Sequence, residues 1–341
     1  MSRIAIFGAG AWGTALAIVL GRKGVHEVRL WAREKEVCDA ISSRHVNDVF
    51  LRGCPIPSRV SVTMEYEACI QGAEMVVCAV PSQHCRGIFQ EIKKYLQPQM
   101  LLVSATKGLE QSSLLRMTSV IAEVVGADTG SAPRVGALSG PSFAKEVAQG
   151  DPTAITIASE DAALAQTVQL TFSDASFRVY RNDDVTGVEL GGALKNVVAI
   201  AAGVCDGLGL GHNSIAALIT RGLAEITRLV VACGGREQTM AGLAGLGDLV
   251  LTCTGELSRN RSVGVELGRG RKLPEILSNM HGTVAEGIFT TYAAVGLARA
   301  HGIEMPITEQ MHSILRDGKP PREAIHELMT RRAKSEITLG S

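Results

Sequence analysis

The chain opens Ile4-Ala5-Ile6-Phe7-Gly8-Ala9-Gly10-Ala11-Trp12-Gly13 and runs on into a helix-forming stretch, Thr14 to Leu20. A short β-prone run, the spacing G-x-G-x-x-G and a helix, in that order, leave few folds open. Gly8 permits the tight turn out of the strand, Gly10 lets a pyrophosphate approach the backbone, and Gly13 lets the helix pack closely on the strand. The helix start offers free N–H groups and the positive end of a dipole to phosphates. A second strand, Val28-Arg29-Leu30-Trp31, follows at about the expected distance. The same segment is uncharged from Ile4 to Gly21 and follows Arg3, so a signal peptide or membrane span is the competing reading. Its glycines lower hydrophobicity, no clear cleavage site follows, and its removal would delete the first strand.

At 341 residues the chain suggests about two domains. Zero formal net charge and the lack of a basic stripe argue against nucleic acid as a partner. No other apolar run demands a bilayer. The eight cysteines (Cys38, Cys54, Cys69, Cys78, Cys85, Cys205, Cys233, Cys253) form no C-x-x-C pair and read as reduced, partly buried thiols of a cytoplasmic protein. The dispersed histidines give no support for a metal site.

The first half alternates strand-like and helix-like segments. Glu74–Val80, Leu101–Ser104, Arg134–Leu138, Thr153–Ile157 and Phe177–Tyr180 read as buried strands. Continuous apolar strands between helices imply a parallel sheet covered on both faces, with ligands beyond the carboxyl ends of its strands. From about Val185 onward the pattern is helical, including a long apolar helix over Glu189–Val204. The expected architecture is α/β: a Rossmann-type dinucleotide-binding domain over 1–189, then an all-α domain over 190–341 with a polar tail. No linker separates them, so the cleft between them is the expected site.

Several residues could carry chemistry there. Lys195 sits in Gly191-Gly192-Ala193-Leu194-Lys195-Asn196-Val197, a helix apolar on nearly every side. A lysine so placed is costly unless it meets a polar cleft or a carboxylate, and desolvation tunes it toward proton transfer; a snorkelling lysine is the alternative. Lys107, in Ser104-Ala105-Thr106-Lys107-Gly108, follows a buried strand where such sheets present catalytic loops, although loop lysines are usually just solvated. Val80-Pro81-Ser82 ends the neighbouring strand and would line the same crevice. Ser139-Gly140-Pro141-Ser142-Phe143-Ala144 leaves a strand and opens a helix, either to grip a substrate oxygen or phosphate or to cap the helix with a serine. Asp248, in a Gly-rich apolar stretch, is either a helix N-cap or the partner of Lys195. Ser258-Arg259-Asn260-Arg261 is either a compact anion-binding set or a solvated basic turn.

Taken together and in order, GAGAWGTALA, AVPSQ, SATKGLE, SGPSFAKEV, GGALKNVVAIAAG, GLGDLVLTCT and SRNR resemble the bacterial-type NAD(P)-dependent glycerol-3-phosphate dehydrogenases, from the first strand to about residue 330. The resemblance implies that Lys195 is the proton donor and acceptor, with Lys107 and Asp248 beside it. It implies substrate contacts from Lys107, Gly140, Ser142, Lys195, Asp248, Ser258, Arg259 and Asn260. It implies cofactor contacts from Gly8, Gly10, Ala11, Trp12, Gly13, Arg33, Lys107, Ala144, Arg259, Val284 and Glu286. The implied reaction is hydride transfer to C2 of dihydroxyacetone phosphate, giving sn-glycerol 3-phosphate for glycerophospholipid synthesis, with no metal. A homodimer is also implied. Arg33 could pair with a 2′-phosphate and favour NADP, whereas Glu34 could bind a ribose hydroxyl and favour NAD; dual use is expected. Two other readings are a β-hydroxyacid dehydrogenase, against which the 258–261 cluster and GLGDLVLTCT argue, and a non-catalytic NAD(P)H sensor, which would have no use for Lys107, Lys195 and Asp248 together.

Overall fold

A computed structural model describes residues 2–129, 132–280, 285–333 and 335–336. Eight strands, β1 (Arg3–Phe7), β2 (Glu27–Trp31), β3 (Val60–Thr63), β4 (Met75–Cys78), β5 (Leu101–Ser104), β6 (Val135–Ser139), β7 (Thr153–Ala158) and β8 (Phe177–Asn182), form one sheet in the order β3-β2-β1-β4-β5-β6-β7-β8. β1 shows why these sequences become buried strands. Ile4 and Ile6 face one core while Ala5 and Phe7 face the other, and all four are fully buried. Both faces must therefore be apolar, which erases the alternation expected of a half-exposed strand.

Two features depart from the sequence reading. β3 was not expected: it is four residues long, with only Val60 buried, and gives little periodic signal. The sheet is also not wholly parallel, because β6 and β7 run antiparallel with Leu138 opposite Ile157. The intervening helix, Ala144–Gln149, has six residues. At about 1.5 Å per residue it is too short to carry the chain back along the strand, so the chain returns in the reverse direction.

The helical half is built around Val185–Gly207, which extends beyond the expected Glu189–Val204 at both ends. Asp184 caps it: one carboxylate oxygen accepts the Gly187 N–H at 2.8 Å, and the other accepts the Arg236 N–H at 2.8 Å and the Thr239 hydroxyl at 2.6 Å. Every residue from Gly187 to Cys205 is buried. This helix is long and apolar enough to cross a membrane, with mean hydropathy 1.5, but its apolar stretch is buried inside the fold. Helix Arg259–Gly268 crosses it closely; a Cβ on Gly203 or Gly264 would run into the facing backbone. That approach sets Asn260 against Asn196, next to Lys195 at the middle of the long helix.

Candidate active site

The two lysines expected to share a site do so. Lys107 leaves β5 in the loop at its carboxyl end, and its Nζ donates to Asp248 Oδ2 and to the Gly140 carbonyl, both at 2.7 Å. Ser142 Oγ lies 3.3 Å from the same nitrogen and donates to Gly140 O at 2.8 Å. From the other half, Lys195 Nζ reaches Asp248 Oδ1 at 3.1 Å and Thr252 Oγ1 at 2.6 Å. One carboxylate thus stands between two ammonium groups, with Lys195 5% and Asp248 1% exposed. Burial lowers the Lys195 pKa to about 8; Asp248 opposes that shift and the Lys107 charge adds to it. Asp248 is not an N-cap. It is the first residue of helix Asp248–Thr254, which follows a turn of π-helix over Leu243–Gly247, and Thr252 one turn on donates to its backbone carbonyl at 2.7 Å. Ser142 does not cap a helix either: the N-cap before Ala144 is Phe143, which has no capping side chain, so the Ser142 hydroxyl remains in the lysine cluster.

The dinucleotide loop has the geometry its glycines require. Gly8 adopts φ +112°, and a Cβ there would lie 2.8 Å from the Ala79 carbonyl oxygen. A Cβ on Gly13 would collide with the Gly8 carbonyl, while around Gly10 there is open space. Helix Ala11–Arg22 begins with no capping side chain and no acid in its first turn. Its first N–H groups lack a preceding turn to accept them, so the residues present suit a pyrophosphate. Ala11 and Trp12 are half-buried, and the Trp12 indole N–H donates to Ala105 O at 3.1 Å, tying this helix to the loop that carries Lys107. Beyond β2, Arg33 and Glu34 pair with each other at 2.7 Å, with the arginine side chain 70% exposed. Ala144 is half-buried at the start of its short helix. Val284 lies outside the described residues.

The 258–261 segment divides its residues between tasks. Ser258 Oγ caps helix Arg259–Gly268 by accepting the Arg261 N–H at 3.2 Å. Asn260 Nδ2 donates to Asn196 Oδ1 at 2.9 Å, beside Lys195, and Asn260 Oδ1 accepts the Gly287 N–H at 3.0 Å. Arg261 does not join Arg259 in an anion-binding pair, because its guanidinium is bound to Asp206 at 2.8 Å. Arg259 is exposed, yet enough protein surrounds it to pull its pKa down, with Glu286 opposing. Glu286 lies close enough to act on that charge. Burial raises its pKa, and its two oxygens accept the Ser82 N–H at 2.9 Å and the Ser82 hydroxyl at 2.5 Å, so it joins the β4 exit to the helical half. A separate cavity of about 680 Å³ opens under the other end of the sheet, near Glu74, Tyr95 and Arg134, and contains none of these residues.

Sequence reasoning assigned no task to Thr252 or Asn47. Asp248 and Thr252 stand four apart, which places them on one face of any helix through them, and that spacing was the available signal. Asn47 is buried and holds the glycine loop by donating to Ala9 O at 2.9 Å and to Thr14 Oγ1 at 2.8 Å; an isolated asparagine in the loop before β3 carries no such signal.

Family models for the amino- and carboxy-terminal parts of NAD-dependent glycerol-3-phosphate dehydrogenase match residues 3–165 and 184–326. A relative in Koribacter versatilis named glycerol-3-phosphate dehydrogenase [NAD(P)+] is 64% identical over 339 residues, covering 99% of this chain and all of that one. The relative of the same name in Acidobacterium capsulatum is 54% identical, over 98% of this chain and all of its own. The crystal structure of glycerol-3-phosphate dehydrogenase from Coxiella burnetii superposes with a TM-score of 0.91 at 41% identity, covering 97% of this chain and 99% of that one. The chain therefore belongs to the NAD(P)-dependent glycerol-3-phosphate dehydrogenase family.

Proposed function

We propose that this chain interconverts dihydroxyacetone phosphate and sn-glycerol 3-phosphate with NAD(P), and that Lys195 is its proton donor and acceptor. The observation that carries the assignment of roles is the Lys107–Asp248–Lys195 cluster, where two amines from distant stretches meet one buried carboxylate. When bound, the nicotinamide supplies or takes the hydride at C2. In reduction, the Lys195 ammonium gives a proton to the developing alkoxide; in oxidation, the neutral amine takes the hydroxyl proton. Help of this kind is worth about 100- to 10,000-fold. Lys107 adds fixed positive charge where the oxyanion forms, and its bonds to Gly140, Ser142 and Asp248 hold it there in advance. Arg259 and Asn260 bind the phosphate, and binding energy spent at that remote group orients the ketone. Ser258 supports them through its cap. Gly8, Gly10, Ala11, Trp12 and Gly13 hold the pyrophosphate; Arg33 holds the adenosine end; Ala144 and Glu286 complete the cofactor cleft.

The division at 189/190, a homodimer, a cytoplasmic location and a supply role in phospholipid synthesis belong to the same reading. The first is supported only in outline, because the sheet ends at Asn182 and the Lys195 helix starts at Val185, so 189/190 falls inside that helix; the rest is supported by family resemblance. The test is oxidation of NADPH and NADH with dihydroxyacetone phosphate, set against a non-phosphorylated keto acid. Lys195→Ala should abolish turnover and leave dinucleotide affinity intact. An unchanged rate removes Lys195 from the role, and a preference for the keto acid favours a β-hydroxyacid dehydrogenase.

A further inference from the structure

Lys107 and Lys195 come from opposite halves of the chain, so their meeting at one carboxylate needs a fastener. The segment after Lys107 is a hairpin. Leu109 and Arg116 are bridge partners, and the Glu110 N–H donates to Leu115 O at 3.0 Å. Leu114 turns the chain at φ +61°, a backbone that a bulky side chain rarely adopts unless its surroundings enforce it. The enforcement comes from the helical half: Leu109 is fully buried in a cluster with Leu190, Ala193 and Leu194, and Leu114 packs against the same cluster.

The hairpin's exit is fixed by a carboxylate on the Lys195 helix itself. Glu189, 6% exposed, accepts Arg116 Nη1 at 2.6 Å, the Thr118 N–H at 2.9 Å and the Thr118 hydroxyl. It stands six positions before Lys195, about 9 Å along the axis. We propose that Glu189 is a positioning residue: by holding the exit of the Lys107 hairpin against the Lys195 helix, it sets the spacing of the two amines across Asp248. This rests on the assignment of those amines to the reacting centre.

Glu189→Gln in the full chain keeps the shape and removes the charge that Arg116 pairs with. The expected result is a fall in kcat of roughly 10- to 100-fold, the scale of a small misplacement of a reacting group, with KM for NADPH within about twofold. The pH profile of dihydroxyacetone phosphate reduction separates causes. Asp248, Lys107 and Cys253 are the charged or titratable groups that act on Lys195. A retreat of Lys107 lets Lys195 hold its proton to higher pH, so the alkaline limb moves up. Direct loss of the Glu189 negative charge would move it down, and a merely structural loss would lower Tm and leave it in place. Thr118→Val, which deletes only the hydroxyl, should shift the limb the same way by less, and it decides the matter if Glu189→Gln does not fold. A kcat within about twofold and an unmoved or lowered limb overturn the proposal. If Lys195→Ala is inactive in the same assay, the function stands without it; if Lys195→Ala is active, the reading beneath it fails.

Discussion

A lysine buried to 5% exposure is a poor stabiliser and a good proton carrier. With its pKa near 8, Lys195 is mostly an ammonium at neutral pH. If Lys195 is the proton donor and acceptor as proposed, the rate of reduction should fall as pH rises through about 8, whereas oxidation, which would need the free amine, should rise through the same range. Asp248→Asn removes the carboxylate that favours the charged form. The limb should then move to lower pH as kcat falls, measured as kcat against pH in both directions. In the proposed reading Arg33 serves the other end of the cofactor. Held by Glu34 alone among the described residues and largely exposed, it can turn to a 2′-phosphate. Arg33→Ala should raise KM for NADPH about tenfold, the value of one charge-assisted contact, and leave KM for NADH nearly unchanged. Lys195 and Asp248 stood out because each breaks an apolar or glycine-rich pattern, and Lys107 because it directly follows a buried strand. Asp248 was offered as a partner of Lys195, but its pairing with Lys107 was not, because 141 positions separate the two.

Elements were legible where the deciding interactions are local. The glycine loop is one such case, since the positive φ of Gly8 and the close approach of Gly13 to the Gly8 carbonyl act within a few residues. The long Val185–Gly207 helix was legible from its apolar length, but its start was not, because the Asp184 cap is completed by Arg236 and Thr239 from a later helix start. Asp184→Ala should therefore cost about 2–4 kcal/mol, a lost cap plus orphaned buried donors, read as a lower urea midpoint at constant m-value. β7 illustrates the limit. Its apolar run announced a buried strand, while its direction depended on how far a six-residue helix could carry the chain.

At the scale of the molecule, helices from different parts of the chain are locked together by buried charge. Glu225 on helix His212–Ala232 is 3% exposed and accepts the Ile307 N–H at 2.7 Å and the Thr308 N–H at 3.3 Å, at the start of helix Pro306–Asp317. Burial pushes its pKa up to about 7 despite those donors and nearby Arg228. A raised carboxyl pKa means the folded state binds the proton more tightly than the unfolded one. Its stabilising contribution is complete below the unfolded value of about 4.5 and is lost as pH rises through about 7. Glu225→Gln should flatten that slope, so the difference in unfolding free energy between variant and parent should drift toward the variant, by up to about 3 kcal/mol between pH 4.5 and 8. The order of β1, glycine turn and helix, the doubly buried strands and the change to helical periodicity after β8 were fixed by residues near one another in the chain, and sequence alone sufficed for them. The pairing of Arg261 with Asp206, the Ser82–Glu286 join and the convergence of Lys107 and Lys195 on Asp248 were decided only by the tertiary structure. Steric and periodic constraints fall off within a helical turn or a strand pair. A salt bridge, by contrast, depends on where packing leaves two side chains, and no local pattern records that.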